Sequence, residues 1–149
     1  MAINRSGWVY RFVGLTAALN LAWEILQLPL FTIWVEGSTR DITFAVLHCT
    51  VGDVLIASLS LLAAVALVQA RDWPQRHSVG VWLLTVVFGW VYTGYSEWYN
   101  TTVTHAWTYS SLMPQFAGIG LSPLAQWLLV PSTVFWWAFN RSGEIRANS

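Results

Sequence analysis

Between Ile42 and Ala70 a single charged residue, Asp53, interrupts an otherwise uncharged and largely apolar run. Three further stretches share this character, from about Phe12 to Trp34, Gly80 to Tyr99 and Phe116 to Phe139. A helix needs roughly 20 residues to cross the hydrocarbon core of a bilayer, and each stretch reaches that length. A spanning strand would alternate with period two over about 10 residues, which the run from Val54 to Val68 does not do. In hydrocarbon the backbone must satisfy its own hydrogen bonds, and a helix does so unaided. Composition points the same way. Of 149 residues 56% are hydrophobic and 9% charged, with a mean hydropathy of +0.52, whereas water-soluble domains carry about 25% charged residues. The chain is too poor in charge to clothe a water-facing surface, and too rich in aromatics for disorder. With seven arginines against seven acids, no lysine and no basic stripe, nucleic acid is not an expected partner.

The expected fold is therefore all-α: one domain over residues 1–149, a polytopic membrane protein with four transmembrane helices in an antiparallel bundle. Arginine placement predicts its orientation. Arg5 and Arg11 precede the first stretch, Arg71 and Arg76 separate the second from the third, and Arg141 and Arg146 follow the fourth. Only Arg40 falls on the other side, beside Glu36 and Asp41. Cytoplasmic loops gather arginine, so both termini are expected in the cytoplasm. The long N-terminal run contains Glu24 and Pro29 and reads as a retained helix rather than a cleaved leader. Trp8, Trp34, Trp73, Trp82, Trp98, Trp107, Trp136 and Trp137 lie near predicted helix ends, where indoles favour the membrane interface. Trp23, Trp90 and Trp127 lie nearer mid-membrane.

The informative residues are polar ones at depth. Counted at 1.5 Å per residue, Glu24 and Asp53 both sit ~15 Å below the non-cytoplasmic surface. A carboxylate there costs on the order of 2.5–3.5 kcal/mol unless paired or hydrated, and acids so placed are functional by default. Asn20, Glu24 and Gln27 share one helical face, as do Thr93, Glu97 and Asn100; Ser122 and Gln126 lie one turn apart. His48 lies outward of Asp53, and His105 in the outer connection. The polar groups crowd the outer half while Leu61–Leu67 is plain, which predicts a polar cavity opening to the non-cytoplasmic side. Glu97 is expected to be shallower and wetter than Glu24 and Asp53. Gln27, Ser122 and Gln126 serve equally well as hydrogen-bonding glue between helices. No His-x-x-x-His or Glu-x-x-His spacing fixes a metal site. His48 and His105 are conceivable axial ligands of a haem, and the cofactor is left open. A single cysteine, Cys49, excludes an intrachain disulfide.

The run from Ser96 to Tyr109, followed by Gly118-Ile-Gly-Leu-Ser-Pro-Leu-Ala-Gln-Trp127, resembles the lycopene cyclase domain of membrane-embedded carotenoid enzymes. That family places an acid and an Asn near a helix end, a Trp-x-Tyr in the connection, then Gly and Pro-Leu-Glu-Glu opening the next helix. Glu97, Asn100, Trp107, Tyr109, Gly120, Pro123 and Leu124 match; the membrane carotenoid hydratases are similar. Ala125 and Gln126 replace the paired glutamates, so the resemblance implies carotenoid-type chemistry by a different acid. Glu24-Ile-Leu-Gln-Leu-Pro29, with the later His48, is similar to a stretch in the emopamil-binding sterol isomerase family. Both resemblances imply isoprenoids handled through carbocations.

Two functions follow as expectations. One is an enzyme that binds a long apolar isoprenoid-type lipid and isomerises, hydrates or cyclises it. Glu24 or Asp53 would donate and accept the proton, with His48 and Glu97 assisting. Trp23, Gln27, Trp90, Asn100, His105, Trp107, Tyr109, Ser122 and Gln126 would bind substrate. The other is a non-catalytic accessory subunit, or a lipid- or quinone-binding protein, in a membrane complex with a partner subunit. The first requires a cavity joining Glu24, Asp53 and Glu97; the second requires those groups to be fully paired. The outer connection, Thr101 to Gln115, is uncharged but for His105 and is expected to pack over the mouth, with Trp107 and Tyr109 near Glu97.

Overall fold

A computed structural model describes residues 5–70, 73 and 78–147, with side chains for 7–70, 73 and 78–137. The predicted turn at Arg71–Gly80, with Arg71 and Arg76, lies mostly outside them, as do the side chains of Arg5, Arg141 and Arg146. Four long helices carry the structure: α1 (Arg5–Gln27), α3 (Thr39–Leu67), α4 (Ser78–Trp98) and α5 (Leu121–Ala147), with a one-turn α2 (Ile33–Glu36) between the first two. α1 packs against α3 and α5, and α4 packs against the same two helices. Three segments are long and apolar enough to cross a membrane: Gly7–Leu30, Thr39–Leu67 and Ser78–Val103.

Toward one end of the assembly α1 turns polar residues inward, and both α1 and α3 turn apolar ones outward. On α1 the buried face carries Thr16, Asn20, Glu24 and Gln27, while Leu21, Ile25 and Leu26 are exposed. On α3 the stripe Leu47, Val51, Leu55, Leu59 and Leu62 faces out. Such a surface suits lipid, in which an apolar side chain gains nothing by being hidden.

Four boundaries differ by five residues or more from the sequence expectation. The first stretch does not continue as one helix to Trp34. Pro29 has no N–H to return to Ile25, so α1 ends at Gln27 and a 3₁₀ turn, Leu28–Leu30, leads into α2. At its other end α1 begins seven residues before Phe12, at Arg5, because Trp8 and Phe12 are buried one turn apart. Trp8 meets Trp73 edge-on at 4.1 Å, and Phe12 meets Phe135 at 5.9 Å. The fourth helix starts at Leu121 instead of Phe116 and runs to Ala147. The preceding residues form a hairpin, β1 (Gln115–Phe116) paired with β2 (Ile119–Gly120). Its two turn residues, Ala117 (φ 51°) and Gly118 (φ 79°), both have the positive φ that a tight hairpin turn demands. Ser38 opens α3 with a capping box to Asp41.

Candidate functional site

Hydrogen bonds join the C-terminal part of α1, the middle of α3 and the N-terminal part of α5 through one side chain, Gln126. It is 2% exposed, and its Nε2 faces Asn20 Oδ1 at 2.8 Å, Asp53 Oδ2 at 2.9 Å and Glu24 Oε1 at 3.1 Å. An amide nitrogen has two hydrogens, so three acceptors compete for two donors. Glu24 and Asp53, on two different helices, therefore share one donor. Two carboxyls gathered on one donor in a low dielectric cannot both stay ionised.

The network extends along α1. Gln27 Nε2 donates to Glu24 Oε1 at 2.8 Å, and Gln27 Oε1 accepts from Ser122 Oγ at 2.8 Å. Ser122 in turn accepts from the Trp23 indole at 3.2 Å. Asn20 donates to the Thr16 carbonyl at 2.9 Å. Trp23 and Ser122 therefore stand behind the site as the far end of a hydrogen-bond chain that orients Gln27.

Glu97 anchors a second cluster. It is as buried as Glu24, 7% against 8% exposed, which corrects the expectation of a shallow, wet acid. Two features cover it. The last turn of the helix widens into a π turn, Tyr99–Val103, in which Thr104 N–H reaches back to Tyr99 O. The Thr101 hydroxyl takes the Glu97 carbonyl and Asn100 Nδ2 takes the Ser96 carbonyl, so side chains compete for backbone acceptors there. The outer connection then folds back as a lid. Tyr109 OH donates to Glu97 Oε2, and Trp107 Nε1 approaches the same oxygen at 3.4 Å. Tyr109 OH accepts from Gly120 N–H at 3.0 Å. Burial, and then the bond to the Glu97 carboxyl, push the Tyr109 phenol above its ordinary range. The lid is pinned to the α1–α2 corner by Thr32 N–H to Thr108 O at 3.0 Å and Ser110 N–H to Leu30 O at 2.9 Å.

Both clusters line one cavity of about 920 Å³. Of the residues picked from the sequence, Glu24, Gln27, His48, Asp53, Glu97, Asn100, His105, Trp107 and Gln126 line it. His48 stacks on Phe44 at 5.5 Å, and His105 Nδ1 lies 3.0 Å from Thr101 O. Trp23, Tyr109 and Ser122 touch lining residues from behind. Trp90 does not join the site; it is 41% exposed on the outer face of α4. Among the described residues no three His, Cys, Asp or Glu side chains are grouped to hold a metal ion.

Trp127, one of the three mid-membrane tryptophans singled out as site candidates, belongs to the site. It is buried in the cavity wall against Gly89, where an added Cβ would lie 2.1 Å from its Cε3. A glycine facing an indole between two apolar helices was the available signal. Phe31, Phe44, Cys49 and Tyr92 also line the cavity. A chamber whose wall mixes aromatic rings with carboxyls can, with one carboxyl protonated, deliver that proton to a carbon–carbon double bond and shelter the resulting cation. No family model, no curated protein and no solved structure matches the chain.

Proposed function

We propose that the chain is a four-helix membrane protein with both termini in the cytoplasm. It binds an isoprenoid-type lipid in the cavity and performs proton-transfer chemistry on it. The observation that carries this reading is the Glu24–Asp53 pair, joined through Gln126 and open to a chamber that also holds Glu97. The proton shared by the pair passes to one carbon of a double bond, leaving a cation on the other and a carboxylate in the wall. Loss of a proton from an adjacent carbon to that carboxylate gives an isomer and restores the pair, with no other reactant consumed. Capture of the cation by water, or by a second double bond, gives hydration or cyclisation from the same start. Glu97, Asn100 and Trp107 would position substrate or water beneath the lid.

Asp53→Asn keeps the shape of the side chain and removes its acidic proton. Lipid extracts of cells carrying it should accumulate unconverted substrate, and an unchanged lipid profile would refute the acid role. Glu97→Gln should impair turnover less, since its carboxyl is engaged by Tyr109 and Trp107. A second reading, a non-catalytic accessory subunit, draws on the fact that all three acids have protein donors; it requires Asp53→Asn to alter assembly alone. Orientation is tested by reporter fusions, expected outside after Glu36 and Ser110 and inside after Ser149.

A further inference from the structure

The cavity has an apolar continuation. Where α3 meets α4, away from the lid, lies a second hollow of about 580 Å³ whose walls include Leu55, Leu59 and Ala63 on α3 and Phe88 on α4. Gly52, Ile56 and Tyr92 line both spaces. Its α3 wall advances by three or four residues at a time, one helical face, and Phe88 and Tyr92 stand one turn apart opposite. The hollow is therefore a straight trough along the helices. From Gly52 to Ala63 it runs about 16 Å at 1.5 Å per residue, close to half of a hydrocarbon core of roughly 30 Å. Leu55, Leu59 and Tyr92 are more than half exposed, so the trough lies open sideways to the surrounding hydrocarbon, and no charged side chain lines it.

Resting on the function proposed above, we infer that this trough seats the chain of a linear, single-chain isoprenoid amphiphile whose reacting end lies at the Glu24–Asp53 pair, with Gly52 keeping the passage open. The lid is hydrogen-bonded across the other end, so an apolar molecule dissolved in the bilayer reaches the acids through the α3–α4 side without crossing it. A Cβ at Gly52 would meet nothing within 4 Å; the space beside it is the passage itself. The trough matches one chain of leaflet length, and the polar groups lie at one end only.

The test uses the purified full chain in mild detergent, with geranylgeraniol and the short alcohol prenol as probes in native mass-spectrometric titrations. The wild type should bind geranylgeraniol the more tightly. Gly52→Leu should weaken geranylgeraniol at least about tenfold, the worth of two buried methylenes, and weaken prenol by clearly less, since Gly52 borders the acid cavity as well as the trough. Gly14→Leu is the matched control, an exposed helical glycine with equally open space, and should behave as wild type. Ala63→Leu, exposed at the far end of the trough, should cause a smaller loss selective for the long chain, and it carries the test if Gly52→Leu does not fold. Geranylgeraniol binding unaffected by either substitution in the trough, or no preference for it over prenol, overturns the inference. If chain selectivity depends on Gly52 while Asp53→Asn leaves the lipid profile unchanged, the trough stands and the acid chemistry falls. If Asp53→Asn blocks conversion while Gly52→Leu binds as wild type, only the trough falls.

Discussion

The two ends of the helix assembly are held together by different forces. Toward the lid, Gln126, Asn20, Glu24 and Asp53 connect α1, α3 and α5 by directed hydrogen bonds, and space remains between the helices. At the other end, Trp8, Phe12, Trp73 and Phe135 fill the interior ring against ring. In lipid, apolar burial between helices gains little, so one end depends on shape complementarity and the other on polar bonds worth roughly 0.6–2 kcal/mol each. Hydrogen bonds fix a few atoms and tolerate a void between them; ring packing does not. The cavity therefore belongs where the polar side chains are.

The largest expected effect lies at the seam between these ends. Gly89→Ala places a methyl 2.1 Å from the Trp127 ring, which cannot shift without collapsing the cavity wall. Overpacking of this kind costs about 3 kcal/mol, so thermal unfolding in detergent should show a large drop or no folded protein. A near-wild-type midpoint would mean that α4 and α5 are not in such close contact.

A paired substitution sharpens the contrast. Phe12→Ala should cost about 2–3 kcal/mol, below the roughly 3–5 kcal/mol of soluble cores, because lipid removes most of the transfer penalty. Conversion of lipid per folded molecule should be unchanged. Gln126→Leu leaves three buried acceptors without their shared donor, at about 1–3 kcal/mol, and should abolish conversion even where folding survives. Equal effects of the two variants on the lipid profile would erase the distinction between a packing end and a chemical end.

The smallest effect concerns the lid. Tyr109→Phe removes the hydrogen bond to Glu97 and the acceptor of Gly120 N–H and should cost about 1–2 kcal/mol, read as faster hydrogen exchange at the Thr32 and Ser110 amides. Because the folded state holds the Tyr109 proton more tightly than the unfolded chain does, the contact is fully present below the ordinary phenol value of about 10. It is lost as pH rises from there through the raised value. Wild-type exchange at these amides should therefore accelerate in alkali beyond the intrinsic rate, and Tyr109→Phe should lack that extra step.

Much of this was legible in the sequence, and the reasons differ by residue. Asn20, Glu24 and Gln27 had to share a face because a helix repeats every 3.6 residues. The depth counted for Glu24 assumed a helix running to Trp34; Pro29 ends α1 at Gln27, so the meeting of Glu24 with Asp53 at one donor came from the tertiary structure. The uncharged outer connection had reason to pack against the mouth. The polar face of Thr93 and Glu97 did not decide Trp90: the buried stripe of α4 runs through Val81, Thr85, Gly89, Thr93 and Glu97 and leaves Trp90 outside it. Glu97 was read as shallow because nothing local announces a π turn or a lid that arrives from residues 107–109. What the sequence alone determined is the kind of solvent these helices suit, the rough place of each long helix in the chain and the face its polar residues share, all properties of one helix at a time. Only the tertiary structure decided that one glutamine serves three acceptors, that Glu97 lies under Tyr109, and that a void joins them. Those depend on how helices distant in sequence meet, and no single helix encodes its partner's azimuth.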